Sequence, residues 1–354
     1  MNPQVNAQPI LVTGGSGFIA SWIVKMLLEK GHTVHATVRS KAKTQKYQHL
    51  EEIAANSSGS LKIFEADLLK EGSFAEAMAG CGIVMHTASP FVVQGVKNGE
   101  EELVKPALLG TRNVLNSATT TPTVQRIVLT SSVVALYGDA SEGRDRGGKL
   151  DESMWNATSS VKNGPYNYSK TVAEKEAWKI AETQTQWDLV TINPSFVLGP
   201  SLTQNSNSAS LTLMKQIMDG TFKSGVPELY FGVVDVRDVA QAHLEAAFRP
   251  TAQGRHIVSN EASVSMLDIA DFIREKYGTQ LKLPKSQLPK FMLYLLGPFI
   301  GFTWKYVSNN VGIALTFENQ KAKSALGMTF RSPKEAVQAH AESMIAAGVV
   351  ALGK

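Results

Sequence analysis

The sequence predicts an α/β protein: a doubly wound parallel sheet with a smaller mixed α/β lobe formed mainly by the C-terminal half. Three observations carry this expectation. Short apolar runs suited to buried strands alternate with stretches of helical period through about residue 135. The first run passes through a glycine-rich turn directly into a helix. Later runs end in small or hydroxyl residues, Thr87-Ala88-Ser89 and Thr130-Ser131-Ser132, where backbone can approach a ligand.

Ile10–Val12 reads as a buried strand, and Phe18 to Lys30 as a helix with an apolar face at Phe18, Ile19, Trp22, Ile23, Met26 and Leu27. Between them the spacing Gly14-x-x-Gly17-x-x-Ala20 suits a turn that holds a dinucleotide pyrophosphate. Gly14 permits the tight turn, Gly17 lets backbone meet phosphate, and Ala20 lets the helix sit close to the sheet. The free N–H groups at the helix start favour an anion, which makes Gly14, Ser16, Gly17, Phe18 and Ile19 candidate cofactor contacts. The competing reading is a small-residue turn kept for packing alone.

Thr33–Val38 is the second strand and ends at Arg39, nineteen residues past Ala20. An acidic residue there reads the ribose hydroxyl of NAD; Arg39, followed by Lys41, Lys43 and Lys46, pairs instead with a 2′-phosphate. Position and sign favour NADP(H) over a merely solvated basic loop. Leu61–Ala66 is a third strand, with Asp67 placed either to meet an adenine amino group or to cap a helix starting near Ser73. Gly82–His86 is a fourth strand, with His86 packed at its end and Thr87, Ala88 and Ser89 beyond it along the cofactor path. A helix over Glu100–Ala118 and a fifth strand over Gln125–Thr130 follow, the latter bringing Thr130 to the same edge. Gly138–Gly164 is polar and glycine-rich, as suits a loop over a site. Pro165–Thr183 reads as a helix and Trp187–Asn193 as a strand. After the Ser/Asn-rich run 201–210 come helices near Ser210–Asp219, Val236–Phe248 and Met266–Tyr277, strands near Leu229 and His256, and a closing helix from Pro333. The expected division is a nucleotide unit over 1–200, joined by segments near 229–258, and a lobe over 201–354 that is mainly for substrate.

The sharpest chemical signal is Tyr166-Asn-Tyr-Ser-Lys170. A Tyr and a Lys four apart lie one turn apart on one helix face, whereas Tyr168 faces away from Lys170. The ammonium is expected to stabilise the phenolate and lower the tyrosine pKa, which suits a proton donor. Ser132, at the end of the fifth strand, is placed to bind the same substrate oxygen. Together the three groups suit a carbonyl oxygen held over a nicotinamide. An exposed Tyr–Lys pair with no such role is the bland alternative.

Composition bounds the rest. The 354 residues are 43% hydrophobic and 19% charged, ordinary for a globular chain with a sizeable core. A net charge of +4 spread along the chain offers no stripe for nucleic acid. One cysteine, Cys81, fits a reducing, cytoplasmic setting, and no metal-ligand spacing is present around His243 or His340. The run at Ile10 is too short for a signal peptide. Phe291–Trp304 is too short to span a bilayer and is broken by Gly297-Pro298, leaving a substrate lid or a surface patch.

Taken together, the motifs resemble the extended short-chain dehydrogenase/reductases. Within them the chain is similar to the branch of dihydroflavonol 4-reductase, cinnamoyl-CoA reductase and the yeast-type NADPH-dependent aldehyde reductases. The resemblance covers nearly the whole chain. It rests on Val-Thr-Gly-Gly-Ser-Gly-Phe-Ile at 12–19, Ala-Thr-Val-Arg at 36–39, Ala-Asp-Leu at 66–68 and His-Thr-Ala-Ser-Pro at 86–90. It continues in Leu-Thr-Ser-Ser at 129–132, Asp-Glu-Ser-x-Trp at 151–155, Tyr-x-x-Ser-Lys at 166–170 and Asn-Pro-x-x-Val-x-Gly-Pro at 193–200. Asp-Val-Arg-Asp-Val-Ala at 235–240 and Phe-Glu-Asn-x-Lys at 317–321 complete it. It implies a Rossmann fold, catalysis by Ser132, Tyr166 and Lys170, and Lys170 on the nicotinamide ribose. It further implies Arg39 and Lys46 on the 2′-phosphate, Asp67 and Leu68 beside the adenine, Thr87 and Ala88 along the channel, and Pro194 and Val197 near the carboxamide. No catalytic role carries over to Asn113, and residues 135–164 and 286–316 depart from the plant flavonoid enzymes.

The expected function is NADPH-dependent reduction of a moderately sized, apolar or aromatic aldehyde or ketone, by a monomer or homodimer. Two alternatives stand. One is a hydroxysteroid-type dehydrogenase or a nucleotide-sugar epimerase, for which Arg237, Arg249 and Arg255 are the candidate second phosphate ligands. The other is a non-catalytic NADP-binding sensor. Asp235, Arg237 and Asp238 are expected to form a buried charge network. Phe91, Phe196, Phe222, Tyr230 and Phe231 are expected to line a pocket or fill core.

Overall fold

The computed structural model describes residues 8–89, 96–203, 209–297 and 301–353. Seven strands build its central sheet: β1 Ile10–Thr13, β2 Thr33–Val38, β3 Ser60–Glu65, β4 Ile83–His86, β5 Arg126–Thr130, β6 Asp188–Pro194 and β7 Gly254–Val258. Every neighbouring pair is parallel, in the order 7-6-5-4-1-2-3. Such a sheet is buried on both faces, and β1 and β4 are buried along their whole length, apolar up to the Thr13 and His86 that end them. Ile10 and Val12 enter one layer of core and Leu11 the other. β3, at the edge, exposes Ser60, Lys62 and Glu65.

Helix α1, Phe18–Glu29, lays Ala20, Ile23, Val24, Leu27 and Leu28 on the first face. Further along the chain, α2 (Lys105–Thr119) and α3 (Pro165–Ala181) pack together over the opposite face. α4, Val236–Phe248, lies beside α1. α5, Met266–Tyr277, and α6, Pro333–Ala346, each start on a Ser-based capping box and pack around a separate core that includes Met214, Ile217, Ile269, Ile273 and Val337.

The first five strands are those of the regular strand–helix alternation through about residue 135. β6, expected over Trp187–Asn193, and β7, expected as a short strand near His256 within the segments that join this unit, extend the sheet to seven strands. The apolar run of β7 is brief and carries the buried Arg255, which hides its extent. The helix expected over Glu100–Ala118 opens as a π-helical turn, Glu100–Val104, and Pro106, which has no N–H to give, sits just after the junction. The loop 138–164 contains a short helix, Ala140–Asp145, and a two-residue strand, Lys149–Leu150, that pairs with Thr316–Phe317.

Residues 298–300 of the apolar stretch lie outside the described residues, and helices Lys290–Leu296 and Trp304–Asn310 flank them. Among the described residues no helix is long and apolar enough to cross a membrane, and no cluster of His, Cys, Asp or Glu is arranged for a metal.

Candidate active site

Strand order reverses at β1 and β4, and an open α/β sheet binds ligands outside the strand ends at such a point. Thr13 stands opposite His86 in register, so Gly14 and Thr87 leave the sheet side by side. The Thr13 hydroxyl ties the two exits together. It accepts the N–H groups of Thr87 (3.1 Å) and Ala88 (3.0 Å) and donates to His86 Nδ1 at 2.9 Å. Burial, and then the Lys170 ammonium, push His86 down to about 3, so the imidazole is neutral and serves as a packed acceptor.

Gly14 turns at φ +66°, and a Cβ there would come within 3.1 Å of the Ala88 side chain. Its N–H donates to Thr37 Oγ1 and that of Gly15 to the Thr37 carbonyl, which fixes the turn to β2. A Cβ on Gly17 would meet only the Gly14 carbonyl oxygen and Ala20, so the other side of Gly17 is open. No side chain caps α1, and its first turn holds no acidic residue. Its first N–H groups are therefore free for an anion.

A cleft of about 620 Å³ runs from this turn over the ends of β2 and β4. It is lined by Gly14, Ser16, Gly17, Phe18, Arg39, Lys46, Asp67, Leu68, Thr87, Ala88 and Ser89, all expected there, and also by Lys43. Asp67 is exposed in it and accepts the Leu69 N–H at 2.8 Å; the helix expected near Ser73 runs over Ala75–Met78, with Phe74 at its N-cap position and no side-chain cap. Arg39 and the two lysines bring three cations to the cleft, and Gly17 and Phe18 at the uncapped helix start line it too. The fit is to a long anion with a charged group at its end.

Four of the expected contacts lie outside the lining of this cleft. Ile19 turns its side chain into the core, and Val197, in a separate short strand, packs against the same core. The Thr130 hydroxyl lies 2.6 Å from His243 Nε2 and belongs to a smaller cavity beside Lys170. Pro194 ends β6, where its carbonyl accepts from the Ser132 hydroxyl at 3.5 Å.

Lys170 joins the cleft to the expected catalytic set: its ammonium donates to Ser89 Oγ at 3.2 Å. It sits 6.0 Å from the centre of the Tyr166 ring, on the same face of α3. This helix packs against the turn Val133–Ala135, which Ser132 caps by accepting the Val134 N–H. Tyr166, Lys170 and Ser132 are all half-buried. Burial pushes the Tyr166 phenol up to about 12, opposite to the lowering expected from the lysine. Burial also brings Lys170 down to about 8, with Glu174 acting against that fall. Desolvation is the cause of the Tyr166 rise and the larger cause of the Lys170 fall, since burial disfavours the charged form of each.

Two contributors escaped the sequence reading. Asn113, buried on α2, donates to the carbonyls of Lys70 (2.7 Å) and Leu68 (3.1 Å) and accepts the Gly72 N–H, so it clamps the loop that carries Asp67. Glu174, one turn beyond Lys170, is fully enclosed and pairs with Arg255. A polar residue on an otherwise buried helix face was the available signal for both.

The chain matches the model of the NAD dependent epimerase/dehydratase family over residues 10–259. It belongs to that family. Among the members it resembles, it is 40% identical to cinnamoyl-CoA reductase CAD2 of Medicago truncatula, over 79% of this chain and 82% of that one. It is 43% identical to tetraketide alpha-pyrone reductase 2 of Arabidopsis thaliana, over 75% and 82% of the two chains. The structure of yeast methylglyoxal/isovaleraldehyde reductase Gre2 complexed with NADPH superposes with a TM-score of 0.76 at 30% identity, over 96% of this chain and 98% of that one. These relatives place the chain in the reductase branch of the family that its motifs indicated.

Within the family, a sugar-nucleotide site needs additional basic groups facing the second lobe. Arg237 pairs with Asp235, Arg249 with Glu245 and Arg255 with Glu174, so each candidate is engaged by a carboxylate. Asp235 caps α4 and Asp238 holds Arg331, forming the charge network expected at that helix start. Phe196, Phe222 and Phe231 pack against the second core, and the Tyr230 hydroxyl donates to Glu228. Phe91 lies outside the described residues.

Proposed function

We propose that this family member is an NADPH-dependent reductase of aldehydes or ketones of moderate size and apolar or aromatic character. Residues 1–200, with the segments near 229–258, hold the cofactor, and 201–354 mainly hold the substrate. The observation that carries the reading is one continuous path. It leads from Arg39, Lys43 and Lys46, through the open glycine turn, to Ser89 and the Lys170 ammonium bonded to it.

NADPH, when bound, supplies the hydride that reaches the carbonyl carbon. The chain's own groups manage the oxygen. Ser132 donates a hydrogen bond to it, and Tyr166 gives it a proton as negative charge develops. A phenol held near 12 stays protonated at neutral pH, as a donor must, and an alkoxide is a stronger base still, so the proton moves toward substrate. Lys170, one turn away, offsets the charge left on the tyrosine oxygen. Arg39 and Lys46 select the phosphorylated cofactor, and the N–H groups at the start of α1 take the pyrophosphate.

The test is NADPH consumption across aldehydes, diketones, keto esters and steroids, with NADH in parallel. Turnover of apolar aldehydes or ketones with clear preference for NADPH is expected. Equal activity with NADH would contradict the assignment of Arg39, and absence of turnover with every substrate would favour a binding role.

A further inference from the structure

Beside Lys170 lies a buried polar cluster that the proposed chemistry leaves unused. Glu174 is 1% exposed, and its carboxylate accepts from Arg255 Nε at 2.6 Å, Asn193 Nδ2 at 2.8 Å, Trp178 Nε1 at 3.3 Å and the Ser131 hydroxyl. Arg255 is 8% exposed, stacks 3.9 Å over the Trp155 ring and donates to the Glu152 and Met154 carbonyls. A buried ion pair costs desolvation and by itself adds little to stability. Its location is the informative feature. Ser131 precedes Ser132, and Asn193 precedes Pro194 and also donates to the Ser132 carbonyl at 3.2 Å. Glu174, Ser131, Thr130, His86 and Lys170 line one cavity of about 20 Å³, large enough for a single water.

We propose that Glu174 is a positioning residue for the Tyr166–Lys170 pair, holding the Lys170 ammonium charged across this cavity and fixing Ser132 through Ser131 and Asn193. The proposal rests on the reading of Lys170 as part of the reducing site. Lys170 faces neutral His86 from β4, Ser89 beyond it, Thr130 and Ser131 from the end of β5, and Tyr166 and Glu174 from its own helix. Glu174 is the one anion of this set. Its partner Arg255 lies near Lys321 and, across the Trp155 ring, Lys175. The Glu152 carboxylate accepts the Ile257 N–H and offsets Lys321, so Glu174 alone answers the positive charge on the Lys170 side.

The experiment follows the Lys170 ammonium directly, by NMR titration of ¹³Cε-labelled lysine in the full chain without cofactor, with Lys170→Met to assign the signal. Glu174→Gln keeps the shape and is expected to lower the Lys170 midpoint by about one pH unit. Arg255→Met removes the positive partner and is expected to raise it by a similar amount. Opposite shifts separate electrostatics from packing damage, and either variant serves if the other does not fold. Midpoints that stay with wild type in both variants overturn the proposal. With NADPH and an aldehyde, Glu174→Gln is expected to lose activity at alkaline pH and recover at pH 6; a loss equal at every pH would also overturn it. If the midpoints shift as stated while the wild type turns over no carbonyl compound, the reductase reading fails and the charge assignment of Glu174 stands.

Discussion

Replacing Arg39 by aspartate probes the cofactor assignment most sharply. Arg39 is exposed in the cleft that also holds Lys43 and Lys46. A charge-assisted hydrogen bond from its guanidinium to a 2′-phosphate is worth about 1.5–3 kcal/mol. A carboxylate in its place adds repulsion of about 1 kcal/mol in so solvated a position. The two lysines retain part of the attraction, so a net loss of about 3 kcal/mol is expected, which is roughly a hundredfold in Kd. NADH carries a hydroxyl where NADPH carries the phosphate, so its affinity for Arg39→Asp is expected to stay within about threefold of that for the unsubstituted chain. Calorimetric titration of both nucleotides against Arg39→Asp and the unsubstituted chain, at one ionic strength because exposed charges are screened, measures this. An NADPH affinity that holds, or equal losses for the two nucleotides, would refute the reasoning.

Other outcomes follow from the same geometry. Lys170→Met is expected to abolish turnover yet raise stability at pH 7 by about 1–2 kcal/mol, measured by denaturant unfolding. The sign follows from a folded-state value lowered to about 8 against 10.5. The unfolded chain binds more protons between those values, so the penalty is complete below pH 8 and fades as pH rises toward 10.5. Gly14→Ala forces a side chain to φ +66° against Ala88 and is expected to cost about 1–2 kcal/mol of stability and weaken NADPH binding, read by denaturant unfolding and calorimetry. Asn113→Leu strips the 67–72 loop of its clamp and is expected to cost about 2–3 kcal/mol, with the cofactor Kd rising while kcat changes less.

The legible parts of this chain were those written in local spacing. Gly14, Gly17 and Ala20 sit at the intervals of a strand–turn–helix, and Tyr166 and Lys170 at the interval of one helical turn, so their placement followed from backbone geometry. Ser132 and Thr87 were found as strand ends. β7 was legible as a short strand near His256, but its bounds and its pairing with β6 were not, because β6 lies far upstream and Arg255 breaks the apolar run. The Glu174–Arg255 pair spans 81 positions and becomes visible only when α3 lies beside β6 and β7. The direction of the Tyr166 shift was misjudged for the same reason: proximity to Lys170 can be counted along a helix, whereas depth of burial depends on everything packed around it. The side chains of Ile19 and Val197 pack on the core and that of Thr130 meets His243, directions that a motif does not specify.

The most direct test of the account is the rate of NADPH oxidation with a saturating apolar aldehyde by the unsubstituted chain and by Tyr166→Phe. The phenylalanine keeps the ring against its neighbours and removes the hydroxyl that would give the proton. A fall in kcat of at least about a hundredfold, with the NADPH Kd unchanged within about threefold, is expected. A Tyr166→Phe variant that reduces the aldehyde at an undiminished rate would contradict the account.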